Sequence, residues 1–407
     1  MNEEKKLVPK LRFPEFRGAR EWEPKRLADT CLLITNGKAN AQDHEDDGEY
    51  PLFDRSAVIK KSSEFMFDAE AVILPGEGMR FVPKYFQGKF NLHQRAYALM
   101  RHQGDGRFVY YSLDYLQELL AKKAVKSTVL SLRLPIVQDF VIGCPKSAEQ
   151  QKIADCLSSL DELIAAQARK VEALKTHKKG LMQQLFPREG ETQPRLRFPE
   201  FNSAGDWKEK PFGDLLSDIL DFRGRTPNKL GMEWGGGGIA SLSANNVKNG
   251  FIDYAAECNM GSEELYQRWM GGVNLEKGDI VFTMEAPLGN ATLLPDSEKY
   301  ILSQRVVAFK TCSEVLNTFL VQVIWGEEFQ TAINQLATGS TAKGINQKAL
   351  KTVQVKLPCP KEQQRIADCL TALNTLITAA TQELETLKTH KKGLMQQLFP
   401  LAEVVEA

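Results

Sequence analysis

The chain has 407 residues, 43% hydrophobic and 26% charged, enough for two or three domains with cores of their own. Lys plus Arg (52) balance Asp plus Glu (52), which argues against a protein that coats DNA by bulk charge and leaves room for a local basic face. No run approaches the ~20 apolar residues of a membrane span, and MNEEKKLVPKLRFPEF lacks an apolar secretion core. The seven cysteines form no CxxC pair and the five histidines are scattered. The expectation is a cytoplasmic protein with reduced thiols, no metal site and no membrane contact.

The first marker along the chain is Leu11-Arg12-Phe13-Pro14-Glu15-Phe16. From about 20 to 145 the pattern is mixed. Strands are predicted at 71–74, 95–99 and 140–142, and a short helix at 109–121. Positions 76–133 are locally basic, with ten Lys or Arg against four acids.

A long helix follows. Leu157, Leu160, Ile164, Val171, Leu174 and Leu181 recur at the 3-4 spacing of a coiled-coil seam, with a break at Gln167. Ser147 with Gln150 reads as a capping box, and Pro187 ends the helix. About 37 residues at ~1.5 Å each make a rod of roughly 55 Å.

Leu196-Arg197-Phe198-Pro199-Glu200-Phe201 then repeats the first marker. A second mixed segment runs from 207 to 359, with strands predicted at 279–283 and 305–309 and a helix at 318–335. Gly235 to Gly238 read as a flexible loop, since no Lys-Ser/Thr follows to complete a phosphate loop. The stretch from Thr331 to Lys356 holds four lysines and no acid. The second long helix carries its seam on Leu370, Leu373, Ile377, Leu384, Leu387 and Leu394, and ends at Pro400.

The two helical strings, Glu149 to Pro187 and Glu362 to Pro400, align without a gap at a spacing of 213, and their last thirteen residues, KTHKKGLMQQLFP, are identical. The hexapeptides are 185 apart, so the second intervening segment is longer by 213 − 185 = 28 residues. Between the repeats the sequences diverge almost completely. The weak matches are Asn91-Leu92-His93-Gln94-Arg95 with Ile301-Leu302-Ser303-Gln304-Arg305, and Cys144-Pro145-Lys146 with Cys359-Pro360-Lys361. On that last match the first helix opens two residues longer, which predicts a tilt of one head. Joining the tail LMQQLFP to the head LRFPEF recreates the internal junction, which predicts a cyclic, pseudo-two-fold arrangement with neighbouring ends. The fold class is α+β: two similar domains separated by two long antiparallel coiled-coil helices. The boundaries are 1–145, 146–187, 188–359 and 360–400, with a C-terminal tail at 401–407.

The polar faces of the helices match beyond what a seam requires. Lys175-Thr176-His177-Lys178-Lys179-Gly180 recurs as Lys388-Thr389-His390-Lys391-Lys392-Gly393. Matched polar surfaces suit one partner met once per copy; pairing of the helices with each other is the other reading. A glycine inside a helix costs ~1 kcal/mol, which close approach of a neighbour would explain; a helix stop is the alternative.

The Pro-Lys-x-Glu-Gln-Gln-Arg-Ile-Ala type of helix start, the Leu-Lys-x-x-Lys-x-Gly-Leu-Met-Gln-Gln-Leu-Phe type of helix end and the order of segments resemble the specificity subunits of Type I restriction-modification enzymes. The resemblance implies two target-recognition domains, each reading half of a bipartite double-stranded DNA site, and helices that set the gap. It implies two adenine methyltransferase subunits docked along the helices, with motor-nuclease subunits joining for restriction. S-adenosylmethionine, ATP and magnesium then belong to those partners, and this chain carries no cofactor and no catalytic residue. No GxxxxGK[ST] or Asn-Pro-Pro-[Tyr/Phe] sequence is present, which argues against a self-contained modification enzyme. A DNA-binding regulator that uses the coiled coil for self-assembly is the alternative.

DNA readers need Lys and Arg for phosphates, and Arg, Asn or Gln for base edges. The candidates in the first domain are Arg80, Lys84, Lys89, His93, Gln94, Arg95 and Lys126. In the second they are Arg223, Arg225, Asn245, Asn246, Gln304, Arg305, Ser340, Thr341, Lys343 and Asn346. The recurring Gln-Arg also reads as a structural pair at a strand start. Candidates for partner docking are Lys175, His177, Lys178, Lys179 and Gly180, with Lys388, His390, Lys391, Lys392 and Gly393.

Overall fold

The computed structural model describes residues 7–126, 128–339 and 342–400. Ser340, Thr341 and the predicted tail at 401–407 lie outside the described residues. The chain folds as two units, Met1–Arg169 with Thr381–Ala407, and Lys170–Ala380. Each unit therefore takes the first part of one long helix and the last part of the other.

The first unit runs β1 (Glu23–Arg26), α1 (Leu27–Thr30), β2 (Cys31–Asn36), β3 (Tyr50–Phe53), β4 (Lys60–Ser62), β5 (Phe67–Pro75), β6 (Glu77–Gly78), β7 (Lys84–Leu92), β8 (Ala96–His102), α2 (Gly106–Tyr115), α3 (Gln117–Lys123), β9 (Leu130–Ser131), α4 (Leu134–Gln138), β10 (Val141–Cys144) and the start of α5 (Ser147–Leu185). Its main sheet has the order β2-β8-β5-β7-β3-β4. The apolar run 71–74 lies at the centre because both of its faces are covered. Val72 and Leu74 join a core with Val109, Leu113 and Leu120, while Ala71 and Ile73 pack with Phe53, Phe90 and Leu92 on the other side. The predicted helix 109–121 is two helices, α2 and α3, parted at Leu116 (ψ 15°).

The second unit runs β11 (Lys208–Pro211), β12 (Leu216–Asp221), β13 (Ile239–Leu242), β14 (Val247–Lys248), β15 (Phe251–Ile252), β16 (Met260–Gly261), α6 (Glu263–Met270), β17 (Ile280–Thr283), β18 (Ala291–Leu293), β19 (Tyr300–Leu302), β20 (Val306–Thr311), α7 (Asn317–Trp325), α8 (Glu327–Leu336), α9 (Gln347–Lys351), β21 (Gln354–Leu357) and α10 (Pro360–Leu398), which continues into the first unit. Its larger sheets are β12-β20-β17-β18 and β16-β13-β19. The predicted helix 318–335 is again two, parted at Gly326, whose extended backbone (φ −65°, ψ 146°) stops one and starts the other.

The spacing of 213 extends well outside the long helices. It relates α9 to α4 (347 − 134), β21 to β10 (354 − 141) and the starts of the two 39-residue helices (360 − 147). The ribbons obey the same rule. Glu23 pairs with Cys144 and Lys208 with Leu357, so Cys144 corresponds to Leu357 and Pro145 to Pro358. The Cys-Pro-Lys match is therefore out of register by two. The helices have equal lengths, and the expected longer first helix is corrected.

The hexapeptides form 3-10 turns, Pro14–Phe16 and Pro199–Phe201. Their arginines are almost wholly buried against helix-start glutamates. Arg12 meets Glu149 at 2.7 Å, and Arg197 meets Glu362 at 2.8 Å. Trp22 and Trp207 donate their indole N–H to the same two glutamates at 3.4 Å. Burying such charges is tolerable only when both are paired and hydrogen-bonded, as here. Gln150, read as part of a capping box, instead donates to the Pro145 carbonyl and accepts from the Asp105 N–H. Gln363 does the same between Pro358 and Leu316.

Within the first unit, the early part of α5 lies antiparallel to the late part of α10. Asp161 meets Lys391 at 2.6 Å and Gln167 meets Glu383 at 2.8 Å. Leu157, Met395 and Leu398 share a core there with Trp22 and Phe108. Within the second unit, Leu185 and Leu181 pack with Ile366, Ala367 and Leu370. The seam break at Gln167 is a buried amide with a carboxylate partner, the kind of polar seam residue that fixes register.

Candidate nucleic-acid interface

Each unit presents an edge built by the same backbone bonds. In the first, β6 pairs with β9, and Val125 and Ser131 exchange N–H···O bonds of 2.8 and 3.0 Å. Leu132 donates to the Gly76 carbonyl and Gly76 donates to the Arg95 carbonyl, both at 2.8 Å. In the second, Glu285 bridges Gly344, and Thr338 and Gly344 exchange bonds of 2.8 and 2.9 Å. Ile345 donates to Met284 at 3.0 Å, and Met284 donates to Arg305 at 2.7 Å. Thr338 and Gly344 are again 213 beyond Val125 and Ser131. An arginine closes each edge onto a glutamate: Arg95 onto Glu77 at 2.8 Å, Arg305 onto Glu285 at 2.9 Å.

The first edge brings His93, Gln94 and Arg95 together in a polar depression with Asp54, Arg55, Lys60 and Glu77. Gln94 donates to Asn40 at 2.9 Å, and the Arg95 N–H donates to His93 Nδ1 at 3.1 Å. Burial holds the His93 imidazole below its usual pKa. Burial pushes the Asp54 carboxyl up, but bonds from Lys60 and Ser56 outweigh it and hold the group at about 2. Arg80 and Lys126 are exposed, as is Lys89, which lies over the Phe65 ring at 4.7 Å. Lys84 is half-buried. Its amine donates to the Ser56 carbonyl at 2.6 Å, and burial lowers its pKa.

On the second edge Gln304 and Lys343 are exposed, as is Asn245 nearby in sequence to β14. Arg223 grips Asp221, which also accepts from Gln347 at 2.6 Å. Asn246 is corrected, and Asn346 and Arg225 are engaged within the fold. Asn246 is buried, its amide accepting from Ser243 at 2.7 Å and donating to the Asp253 carbonyl at 3.2 Å, so it holds a turn. Asn346 caps α9, accepting from the Ala349 N–H at 2.8 Å. Arg225 donates to the Trp269 carbonyl and lies over the Phe222 ring. Glu77 and Glu285 carry no mark in the sequence that sets them apart from other acids; only their pairing with Arg95 and Arg305 does.

The matched helix strings divide into two groups. Lys391 is nearly buried between Asp161 and the Tyr111 ring. Its twin Lys178 lies over the Trp325 ring at 4.8 Å, and burial lowers its pKa. Lys175 pairs with Glu172 and Lys388 with Glu385 on the same helix. His177, Lys179, His390 and Lys392 are exposed. Gly180 and Gly393 do not stop their helices, and a Cβ at either would meet nothing within 4 Å, so no described neighbour explains them by close approach. Leu163 and Leu376, a further pair 213 apart, are exposed large apolar residues that the seam reading missed.

Among the described residues no helix is long and apolar enough to cross a membrane, and no cluster of three or more His, Cys, Asp or Glu is placed to hold a metal. The family of the type I restriction modification DNA specificity domain matches residues 19–176 and 204–389. The chain is 25% identical over 410 residues to the type I restriction enzyme MjaVIII specificity subunit of Methanocaldococcus jannaschii, covering 95% of both. It is 30% identical over 140 residues, 34% of its length, to the EcoDI specificity subunit of Escherichia coli. Its fold is similar to a type I restriction-modification S subunit from M. genitalium, with TM-score 0.66 and 15% identity over 97% of this chain and all of that one. The two family matches fall on the two repeats and together span most of the chain. It therefore belongs to the type I restriction-modification specificity subunits, the non-catalytic DNA-recognition component of those systems.

Proposed function

We propose that each unit reads one half of a bipartite DNA site. The observation that carries this reading is the pair of equivalent edges, built by the same backbone bonds but lined by different side chains. Shared scaffolding gives the same approach to the duplex, and different side chains give different half-sites. Exposed Arg80, Lys89 and Lys126 in the first unit, and Lys343 in the second, suit phosphates. Gln94, Asn245 and Gln304 have the amides that pair with adenine. The long helices set the gap and dock two adenine methyltransferase subunits. The exposed twins Lys179 with Lys392 and Leu163 with Leu376 offer each copy the same contacts. S-adenosylmethionine, ATP and magnesium act on the methyltransferase and motor-nuclease subunits.

Methylation mapping in cells that express this chain with its methyltransferase tests the reading. The expected motif is two short, different half-sites around a fixed gap. A single uninterrupted motif, or purification without a stoichiometric methyltransferase, favours a self-assembling regulator instead. Removing four residues between Ala165 and Leu174, one turn of ~5.4 Å, changes the gap and keeps both half-sites. An altered half-site with the original gap contradicts the role of the helices.

A further inference from the structure

We propose that the Arg95–Glu77 and Arg305–Glu285 pairs are positioning pairs that fix each reading edge, and that neither arginine reads bases. This rests on the reading that the two units recognise DNA.

The glutamate of each pair belongs to the backbone pairing that closes the edge: Glu77 opposite Ser131, Glu285 opposite Gly344. The arginine stands at the start of the next buried strand, β8 or β20, and its carbonyl accepts from the residue just before the glutamate. Side chain and backbone thus tie the same two segments together twice. A guanidinium engaged on a carboxylate is not free to grip guanine O6 and N7. The arginine also neutralises an acid that would otherwise face phosphates.

The side chains of Arg95 and Arg305 are more than half and about half exposed, and such pairs contribute little to stability. Yet the arrangement recurs in two domains with otherwise unlike surroundings. The Arg95 N–H leans on His93, whereas Ser303 occupies the corresponding place before Arg305. Arg305 moreover holds φ at +72°, a left-handed conformation that non-glycine residues avoid. Arg95 makes the same two ties without a positive φ, so it is the pairing and not the backbone strain that the two edges share.

The test uses the full chain in complex with its methyltransferase, carrying Arg95→Glu, Glu77→Arg or both, and duplexes bearing the methylated motif mapped for the unaltered complex. Affinity for the motif is compared with affinity for a duplex scrambled in the first half-site, across salt concentrations. Each single reversal should lower this discrimination about tenfold, the cost of roughly one mismatched base pair. The double reversal should return it to within about threefold, with the salt dependence of the unaltered complex. A double variant as defective as Arg95→Glu, or one whose salt slope falls by about 0.9, the loss of one phosphate contact, overturns the positioning role. Where a reversal blocks assembly, Glu77→Gln decides: lost discrimination with an unchanged salt slope supports the proposal, and retained discrimination overturns it. If the unaltered complex itself fails to prefer its motif, DNA reading falls and the proposal with it. If the unaltered complex discriminates and the double reversal does not, only the positioning role falls.

Discussion

The backbone N–H of Leu11 donates to the carbonyl of Gln397 at 2.9 Å, and Leu196, 185 residues further on, donates to the carbonyl of Gln184 at the same distance. Gln397 and Gln184 are themselves 213 apart. One contact joins the two ends of the chain. The other joins segments twelve residues apart, so what the chain closes covalently in its middle it closes by packing at its ends.

A half-chain from Met1 to Gln193 should therefore pair with a second copy. In that dimer Lys178 takes the place of Lys391 and meets Asp161 of the other copy. Sedimentation should give a dimer that Asp161→Asn weakens. With methyltransferase present it should methylate an interrupted palindrome of the first half-site. A monomer, or a non-palindromic motif, contradicts this. The half-chain from residue 188 to 400 offers Asn374 where the first offers Asp161, so its dimer should be the weaker.

The matched lysines should respond in opposite directions. Lys391→Met leaves Asp161 with the Tyr111 hydroxyl but no cation, and removes the charge that offsets the burial of Asp114, at a cost of about 1 kcal/mol after screening at the part-exposed Asp161. Lys178→Met removes an amine whose pKa burial has lowered, so at neutral pH it should leave the melting temperature unchanged or raise it. Equal losses in both variants are the contrary result.

The glutamate latches should be sensitive to loss of one partner. Glu149→Gln or Glu362→Gln leaves an arginine buried without its counter-charge, and unfolding free energy should fall by about 3–5 kcal/mol. Urea unfolding of each variant measures it. A loss below ~1 kcal/mol, the range of an exposed pair, would mean that the glutamates are dispensable.

Asp54 should give the first unit an acid-sensitive component. Its folded pKa lies below the unfolded value of ~3.9. The stability it contributes is therefore complete above that value and is lost as pH falls towards about 2. Asp54→Asn should cost about 2 kcal/mol at pH 7, and its deficit should shrink steadily from pH 4.5 to pH 3. A deficit independent of pH removes the charge from the explanation.

The long helices, their seam and the neighbouring ends were legible because near-identical strings carry them. The extension of the same register into the heads was hidden. Val125 and Ser131 share only backbone bonds with Thr338 and Gly344, and backbone bonds leave no mark on residue identity. The Cys-Pro-Lys match misled for the complementary reason: like side chains stand at unlike positions. Asn246 shows the limit of reading polar residues as base readers. An amide that suits adenine also suits the carbonyls of a turn, and only burial separates the two.

Arg12, Trp22 and Glu149, like Arg197, Trp207 and Glu362, all stand at the borders of the heads, where the two copies agree. Most of what differs between the copies is enclosed between these borders, the rest lying on the middle turns of the long helices. A head from another such chain, cut at the tryptophan and at the glutamate, would bring its own reading edge and find an unchanged socket. Genetic exchange across the repeated strings would then produce new sequence preferences in single steps, with the assembly of the rest of the molecule inherited intact.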